Sequence, residues 1–164
     1  MKNQTKLELE AILDGYEKKQ LEERLRQDQE QYELETYIED FKELREKVIR
    51  PVMEDMGDIL EQKGHDFKIK EKEYSMDKKA FATEARIEFK IFPRSNAEEF
   101  YAENHPSVMF SSDVTSRNIK VHGSYVMPGR RGERELIRTY AISEITSDNV
   151  EKEILDILIK AFNA

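Results

Sequence analysis

The spacing of apolar residues divides this chain into a helical part and a sheet part, with the change near residue 64. Before that point, apolar side chains recur every three or four residues, which is typical of amphipathic helices. After it they alternate with polar residues, which is typical of strands with one buried side. From residue 148 the helical spacing returns. This order predicts an α+β fold: a long N-terminal helical region, an antiparallel sheet of four to five strands, and a C-terminal helix packed on one face.

The first third of the chain is predicted to be helical almost throughout. Residues 16–50 contain neither Gly nor Pro and are rich in Glu, Lys, Arg, Gln and Leu, which lose least on becoming helical. Before them we expect a short helix over residues 5–14 that ends at Asp14-Gly15. An unbroken helix over 16–50 would be about 50 Å long, so it must project, fold back or pair with another chain.

The middle of this helical region is polar on all sides. Leu21 and Leu25 are the only apolar residues in segment 17–31. Two leucines offer too little burial to offset an ordering cost of ~1–2 kcal/mol per residue. Residues 1–31 are therefore predicted to be dispensable for folding of the rest.

A stripe with heptad spacing follows the polar segment. Its members fall at a, d, a, d and a: Leu34, Tyr37, Phe41, Leu44 and Val48. Either the chain's own sheet or a second chain must cover this stripe. Because the C-terminal helix is predicted to cover the sheet, we expect the stripe to be the interface of a homodimer, or of a complex with another protein. Pro51 predicts a kink or a new helix start, and Gly64 the end of the helical region.

Four stretches and the Phe67–Ile69 pair predict the sheet. The stretches are residues 80–92, 107–112, 117–127 and 134–145, the last two forming a hairpin. One face of the first stretch is apolar throughout: Phe81, Thr83, Ala85, Ile87, Phe89 and Ile91.

Two capping-box-like pairs predict further helix starts. Asn96 with Glu99 introduces a short helix bearing Phe100 and Tyr101, and Asp148 with Glu151 introduces the last helix. The domain prediction is a helical arm and packing helix over 1–64 and a sheet with two helices over 65–164, with 34–64 belonging to the same domain as the sheet.

Composition and charge narrow the function classes. The net charge is −8, and charged and apolar residues each make up 38%. Residues 1–64 hold 18 acids and 11 bases, whereas residues 65–146 hold 13 acids and 14 bases. This balance argues against a dedicated polyanion binder. Without cysteine there are no disulfides, thiolate nucleophiles or Cys-based metal sites. No apolar stretch is long enough for a membrane span or resembles a signal peptide, so a cytoplasmic protein is expected.

No motif specifies chemistry. The histidines His65, His105 and His122 lack metal-ligand spacing, and Ser111-Ser112-Asp113 lacks a nucleophile elbow and fits a turn. We therefore predict no catalytic residue, metal ligand or cofactor, and do not expect an enzyme.

The most suggestive cluster is basic and lies in the 117–138 hairpin. Its members are Arg117, Lys120, Arg130, Arg131, Arg134 and Arg138. With Tyr125 and Tyr140 on the flanking strands, they could hold nucleic acid or another anionic ligand. They could equally keep an edge soluble, or contact acidic helical residues such as Glu43 or Glu54.

Three function classes remain, in this order. The first is a non-enzymatic interaction or structural module that dimerises through its helical region. The second is a nucleic-acid or anionic-ligand binder that uses the basic hairpin; nucleic acid is not the favoured partner, and no membrane partner is expected. The third is an enzyme or small-molecule pocket between sheet and helices.

Overall fold

The computed structural model has the predicted α+β architecture. It describes residues 2–77, 79, 81–94, 104–128, 130 and 132–163, so the short helix predicted from Asn96 and Glu99 lies outside the described residues. The helical elements are α1 (Asn3–Leu44), a π-helical turn (Arg45–Ile49), α2 (Arg50–Gln62), a 3₁₀ turn (Ile142–Glu144) and α3 (Ser147–Phe162).

Helix α1 does not end at Gly15, as the sequence had predicted. The backbone stays helical through that residue and reaches Leu44. Gly15 does not adopt the left-handed conformation of a C-cap, whereas Gly64, just after α2, does so with φ of 88°. The strong helix formers on both sides of Gly15 account for the continuation, because one glycine costs a helix only about 1 kcal/mol.

Pro51 produces the predicted change in the helix, in the form of a π-helical turn. The turn precedes α2, whose first turn contains the proline, and the backbone N–H of Arg50 donates to the carbonyl of Arg45. The wider turn places the nearly fully buried guanidinium of Arg45 against the end of the first strand, where it donates to the carbonyl of Lys72 at 3.1 Å.

The strands form a five-stranded antiparallel sheet and a separate two-stranded hairpin. Their bounds are β1 (Asp66–Lys72), β2 (Ser75–Met76), β3 (Ala82–Thr83), β4 (Arg86–Phe92), β5 (Ser107–Asp113), β6 (Asn118–Ser124) and β7 (Glu135–Ala141). The sheet order is β1-β4-β5-β6-β7, and the hairpin pairs β2 with β3. The predicted hairpin of the last two strands is confirmed, with a bulge after Val121.

The predicted strand over 80–92 is in fact two strands. Its first part pairs with β2, and only the second part, β4, belongs to the large sheet. Phe81 is therefore 72% exposed instead of sharing the buried face of Ile87, Phe89 and Ile91.

Helices α2 and α3 cover one face of the large sheet. The side chains at its centre are fully buried and come from every layer: Phe41, Ile49, Met53, Ile87, Phe89, Phe110, Ile119 and Ile154. Gly57 lets α2 approach β1 closely, since a Cβ there would lie 2.4 Å from the Phe67 ring. Helix α3 begins one turn of chain earlier than expected, because the Thr146 hydroxyl and not Asp148 caps it.

The chain divides into two units. Residues 1–36 form the first, a stretch of helix α1, and residues 37–164 form the second, which holds the sheet and the core.

Candidate functional surfaces

The heptad stripe belongs largely to the core of this chain, which corrects its assignment to an interface. Tyr37 is buried, and Phe41 has no exposed surface. Leu44 and Val48 are partly buried and pack against the same core cluster. Leu34, the remaining member, is half-buried. Tyr37 and Phe41 are therefore not available to a second chain.

The hydroxyl of Tyr37 holds the turn between β5 and β6. It donates to the carbonyl of Asn118 and accepts from the backbone N–H of Asp113 at 2.9 Å. Burial, opposed by the backbone hydrogen bond from Asp113, raises its pKa to about 12. Arg117 lies beside the same ring, 5.7 Å from its centre, and donates to the carbonyl of Val114 at 2.5 Å. Arg117 thus takes part in a folded turn and not in a hairpin tip.

The basic residues of the 117–138 hairpin do not converge on one site. Arg138 points to α3, where its Nε lies 2.8 Å from the buried Glu153, which also accepts from the hydroxyl of Tyr140. Arg130 is exposed, and Arg131 lies outside the described residues. Neither Glu43 nor Glu54 is paired with this cluster: Glu43 pairs with Lys47 and Glu54 with Arg50.

Lys120 and Arg134 instead meet bases from β1 and β4 on the side of the sheet opposite the core. We call this side the open face, since no helix covers it in the part of the chain that the structure describes. Seven bases share it: Lys68, Lys70, Lys72, Arg86, Lys90, Lys120 and Arg134. Three acids share it too: Asp66, Glu88 and Asp113.

Two clefts open on this face, one on each side of Arg134. The larger has a volume of about 310 Å³ and is lined by residues of β1 and β4 together with Met109 and Arg134. The smaller, about 130 Å³, is lined by Lys90, Ser107, Ser124 and other polar residues, again with Arg134. Between the clefts the Arg134 guanidinium pairs with Glu88 and contacts the Met109 sulfur at 3.3 Å.

His122 lies on the same face, beside these cations. It pairs across the sheet with Met109 on one side and Leu136 on the other. Burial, together with the charges of Arg134 and Lys120, lowers its pKa. The imidazole is thus held in its neutral form by a local excess of positive charge.

Sequence reasoning missed the open face because it searched for basic residues close together in the chain. The alternation of lysines in β1 and of bases in β4 was visible. The register that sets Lys68 opposite Lys90 and Lys72 opposite Arg86 is a tertiary property.

Helix α1 carries a second surface within residues 3–36. Eight large apolar side chains are exposed there: Leu7, Leu9, Ile12, Leu13, Tyr16, Leu21, Leu25 and Tyr32. Four of them, with Ala11, follow heptad spacing on one side of the helix, and we call these the N-terminal stripe: Leu7, Ala11, Leu21, Leu25 and Tyr32. The sequence showed these residues, but the reading of Gly15 as a helix end concealed the continuity of the spacing.

The residues considered for catalysis have structural partners. The Ser112 hydroxyl lies 2.8 Å from Glu84 and 3.1 Å from the carbonyl of Ala85, and Asp113 accepts from the turn residues Thr115 and Ser116. Within the described residues, no group of three His, Asp or Glu side chains could hold a metal ion. None of the described helices is both long and apolar enough to cross a membrane.

Comparison with known proteins returned no match, whether to family models, curated proteins or solved structures.

Proposed function

We propose that this protein is a non-enzymatic interaction module that self-associates through residues 3–36 of helix α1. The observation that carries the proposal is the row of exposed apolar side chains on a helix with no core of its own. An isolated helix that exposes this much apolar surface gains stability by packing against another helix. The proposed contact thus lies N-terminal to the stripe first considered, most of which is core.

The N-terminal stripe has the spacing of a coiled-coil seam. Leu7 and Leu21 occupy d positions, and Ala11, Leu25 and Tyr32 occupy a positions, over about three and a half heptads. Asp14, Lys18 and Asp28 interrupt the seam. Such interruptions lower affinity and favour one alignment of the helices over others.

The charge distribution favours an antiparallel pair of helices. Residues 27–36 contain four acids and no base, whereas Lys2 and Lys6 lie at the other end. A parallel pair would set one acidic segment against the other. An antiparallel pair that places Leu7 opposite Tyr32 also brings Lys6 near Glu33 of the second copy. The occupant we propose for the stripe is therefore a second copy of this chain.

Light scattering on the full chain tests self-association. We expect a dimer at micromolar concentration for the natural sequence and a monomer for Leu21→Glu/Leu25→Glu, because four carboxylates would enter the seam. Gln20→Glu/Gln27→Glu adds the same charge on another side of the helix and should leave the dimer intact. A natural chain that is monomeric, or a control pair that dissociates equally, would refute the proposal.

Cross-linking tests the alignment, since the chain has no natural cysteine. Leu7→Cys and Tyr32→Cys chains, mixed in equal amounts, should form a disulfide between unlike chains, because the bond requires the two Cβ atoms within ~4.5 Å. Each variant alone should cross-link poorly. Efficient cross-linking of either variant with itself would indicate a parallel pair.

A further inference from the structure

The open face of the sheet carries an arrangement of charges that folding alone does not explain. In the β1–β4 register, Lys68 lies directly opposite Lys90, and Lys72 lies directly opposite Arg86. Like charges directly opposite each other across two strands are destabilising. Glu88 lies between these two pairs, opposite Lys70, but its carboxylate is taken by Arg134.

None of the four opposed cations has an acidic partner among the described residues. The ion pairs on this face join Arg134 to Glu88 and Lys120 to Asp113, the latter at 3.0 Å. The only charged-group contact of Lys90 is with the ring of Phe92, 5.9 Å away. The face thus keeps an uncompensated positive charge although the whole chain carries −8.

Protection against aggregation accounts for only part of this charge. Lysines on an edge strand prevent sheets from pairing, and β1 is an edge strand. Strand β4 lies inside the sheet, so Arg86 and Lys90 have no such role. Their side chains add positive charge where it meets positive charge, and a bound anion would remove the repulsion.

We propose that the open face binds the phosphate backbone of a single-stranded nucleic acid. The bases of β1 and β4 run along about 13 Å of each strand, at ~3.3 Å per residue, so the site is elongated. Two clefts adjoin it and share Arg134, which suits a chain of phosphates better than one small anion. The half-buried ring of Phe92, 4.6 Å from the ring of His105, lies on the same face and offers a surface on which a base can stack.

The excess of acid elsewhere does not oppose this site. Residues 1–36 alone hold ten acids and six bases. Attraction of phosphates acts over roughly a Debye length, ~8 Å at physiological ionic strength, so the local charge of the sheet decides. This replaces the sequence-based expectation that was drawn from the net charge and the hairpin alone.

Fluorescence anisotropy with a labelled single-stranded RNA of about 12 nucleotides, the length one such face can hold, tests the site on the full chain. We expect binding that weakens with added salt. Arg86→Gln/Lys90→Gln should lower the affinity at least tenfold and reduce the slope of log K against log salt by about 1.4, for two lost phosphate contacts. Lys19→Gln/Arg24→Gln removes one lysine and one arginine from exposed positions of α1 and should bind like the natural chain.

A second readout separates ligand binding from a structural role. Because each change in Arg86→Gln/Lys90→Gln relieves one like-charge pair, the variant should melt at the same temperature as the natural chain or higher. A lower melting temperature would mean that the two bases stabilise the fold, and would overturn the inference. So would absence of RNA binding at low salt, or an equal loss in the control variant. Tripolyphosphate that binds as tightly as the oligonucleotide would overturn the assignment to nucleic acid.

Discussion

At the scale of single residues, Tyr37 is the clearest case of a side chain whose role changes between sequence and structure. Its spacing with Phe41 suggested an interface, yet its ring is buried and its hydroxyl joins two backbone groups of the β5–β6 turn. Heptad spacing shows which side of a helix is apolar, but not which surface covers that side. Here the sheet of the same chain does so.

Replacing Tyr37 by Phe should destabilise the protein. The change keeps the ring but leaves the Asn118 carbonyl and the Asp113 N–H without their partner, a loss of about 1–3 kcal/mol. Urea unfolding followed by circular dichroism measures this. Tyr16→Phe removes an exposed hydroxyl from α1 and should change the unfolding free energy very little. Equal stability of Tyr37→Phe and the natural chain would contradict the assigned contacts.

The same residue predicts a loss of stability at alkaline pH. Burial raises the pKa of Tyr37 to about 12, above its usual value near 10, so the folded state favours the neutral phenol. This contribution is fully present below pH 10 and is lost as the pH rises towards 12. Tyr140, whose pKa is also raised to about 12 by burial and by its bond to Glu153, acts in the same direction. The stability gap between the natural chain and Tyr37→Phe should therefore narrow above pH 10.

At the scale of elements, two glycines in helices show opposite demands. Gly57 lies where α2 meets β1, and an added Cβ would approach the Phe67 ring to 2.4 Å. Gly15 lies on an exposed stretch of α1 and has nothing within 4 Å of an added Cβ. Helix propensity favours Ala at both positions by about 1 kcal/mol. Packing opposes it only at Gly57.

Exchanging each glycine for alanine should separate these effects. Gly57→Ala should lower the melting temperature, because overpacking costs ~1–3 kcal/mol and exceeds the gain in propensity. Gly15→Ala should maintain or raise the helical content seen by circular dichroism. A Gly57→Ala variant more stable than the natural chain would show that Phe67 moves aside freely.

The elements that the sequence predicted well are those whose signal is local. The alternation of Ile87, Phe89 and Ile91 marks β4, and Pro51 and Gly64 mark changes in the helix. The failures were decided by partners distant in the chain. Phe81 follows β3 into a separate hairpin, and the open face arises from the register between β1 and β4. Alternation identifies the two faces of a strand but does not identify the neighbouring strand.

At the scale of the whole molecule, the two units differ in what stabilises them. The core cluster draws all its members from residues 41–161, within the second unit. Residues 2–33 are exposed without exception. A stretch that contributes nothing to the core should be dispensable for folding, even though it is regular helix. If it mediates self-association, however, it stabilises the folded state through mass action, to an extent that depends on protein concentration.

Deleting residues 1–31 separates these two contributions. The truncated chain should keep its far-ultraviolet spectrum for the sheet and α3, and melt within a few degrees of the full chain when both are dilute. The full chain should melt at a higher temperature as its concentration rises, because only folded chains present the N-terminal stripe in register, whereas the truncated chain should not. Calorimetry over a hundredfold range of concentration measures the difference. Collapse of the truncated chain would mean that α1 stabilises the core, and equal concentration dependence in both chains would place the dimer contact in the second unit.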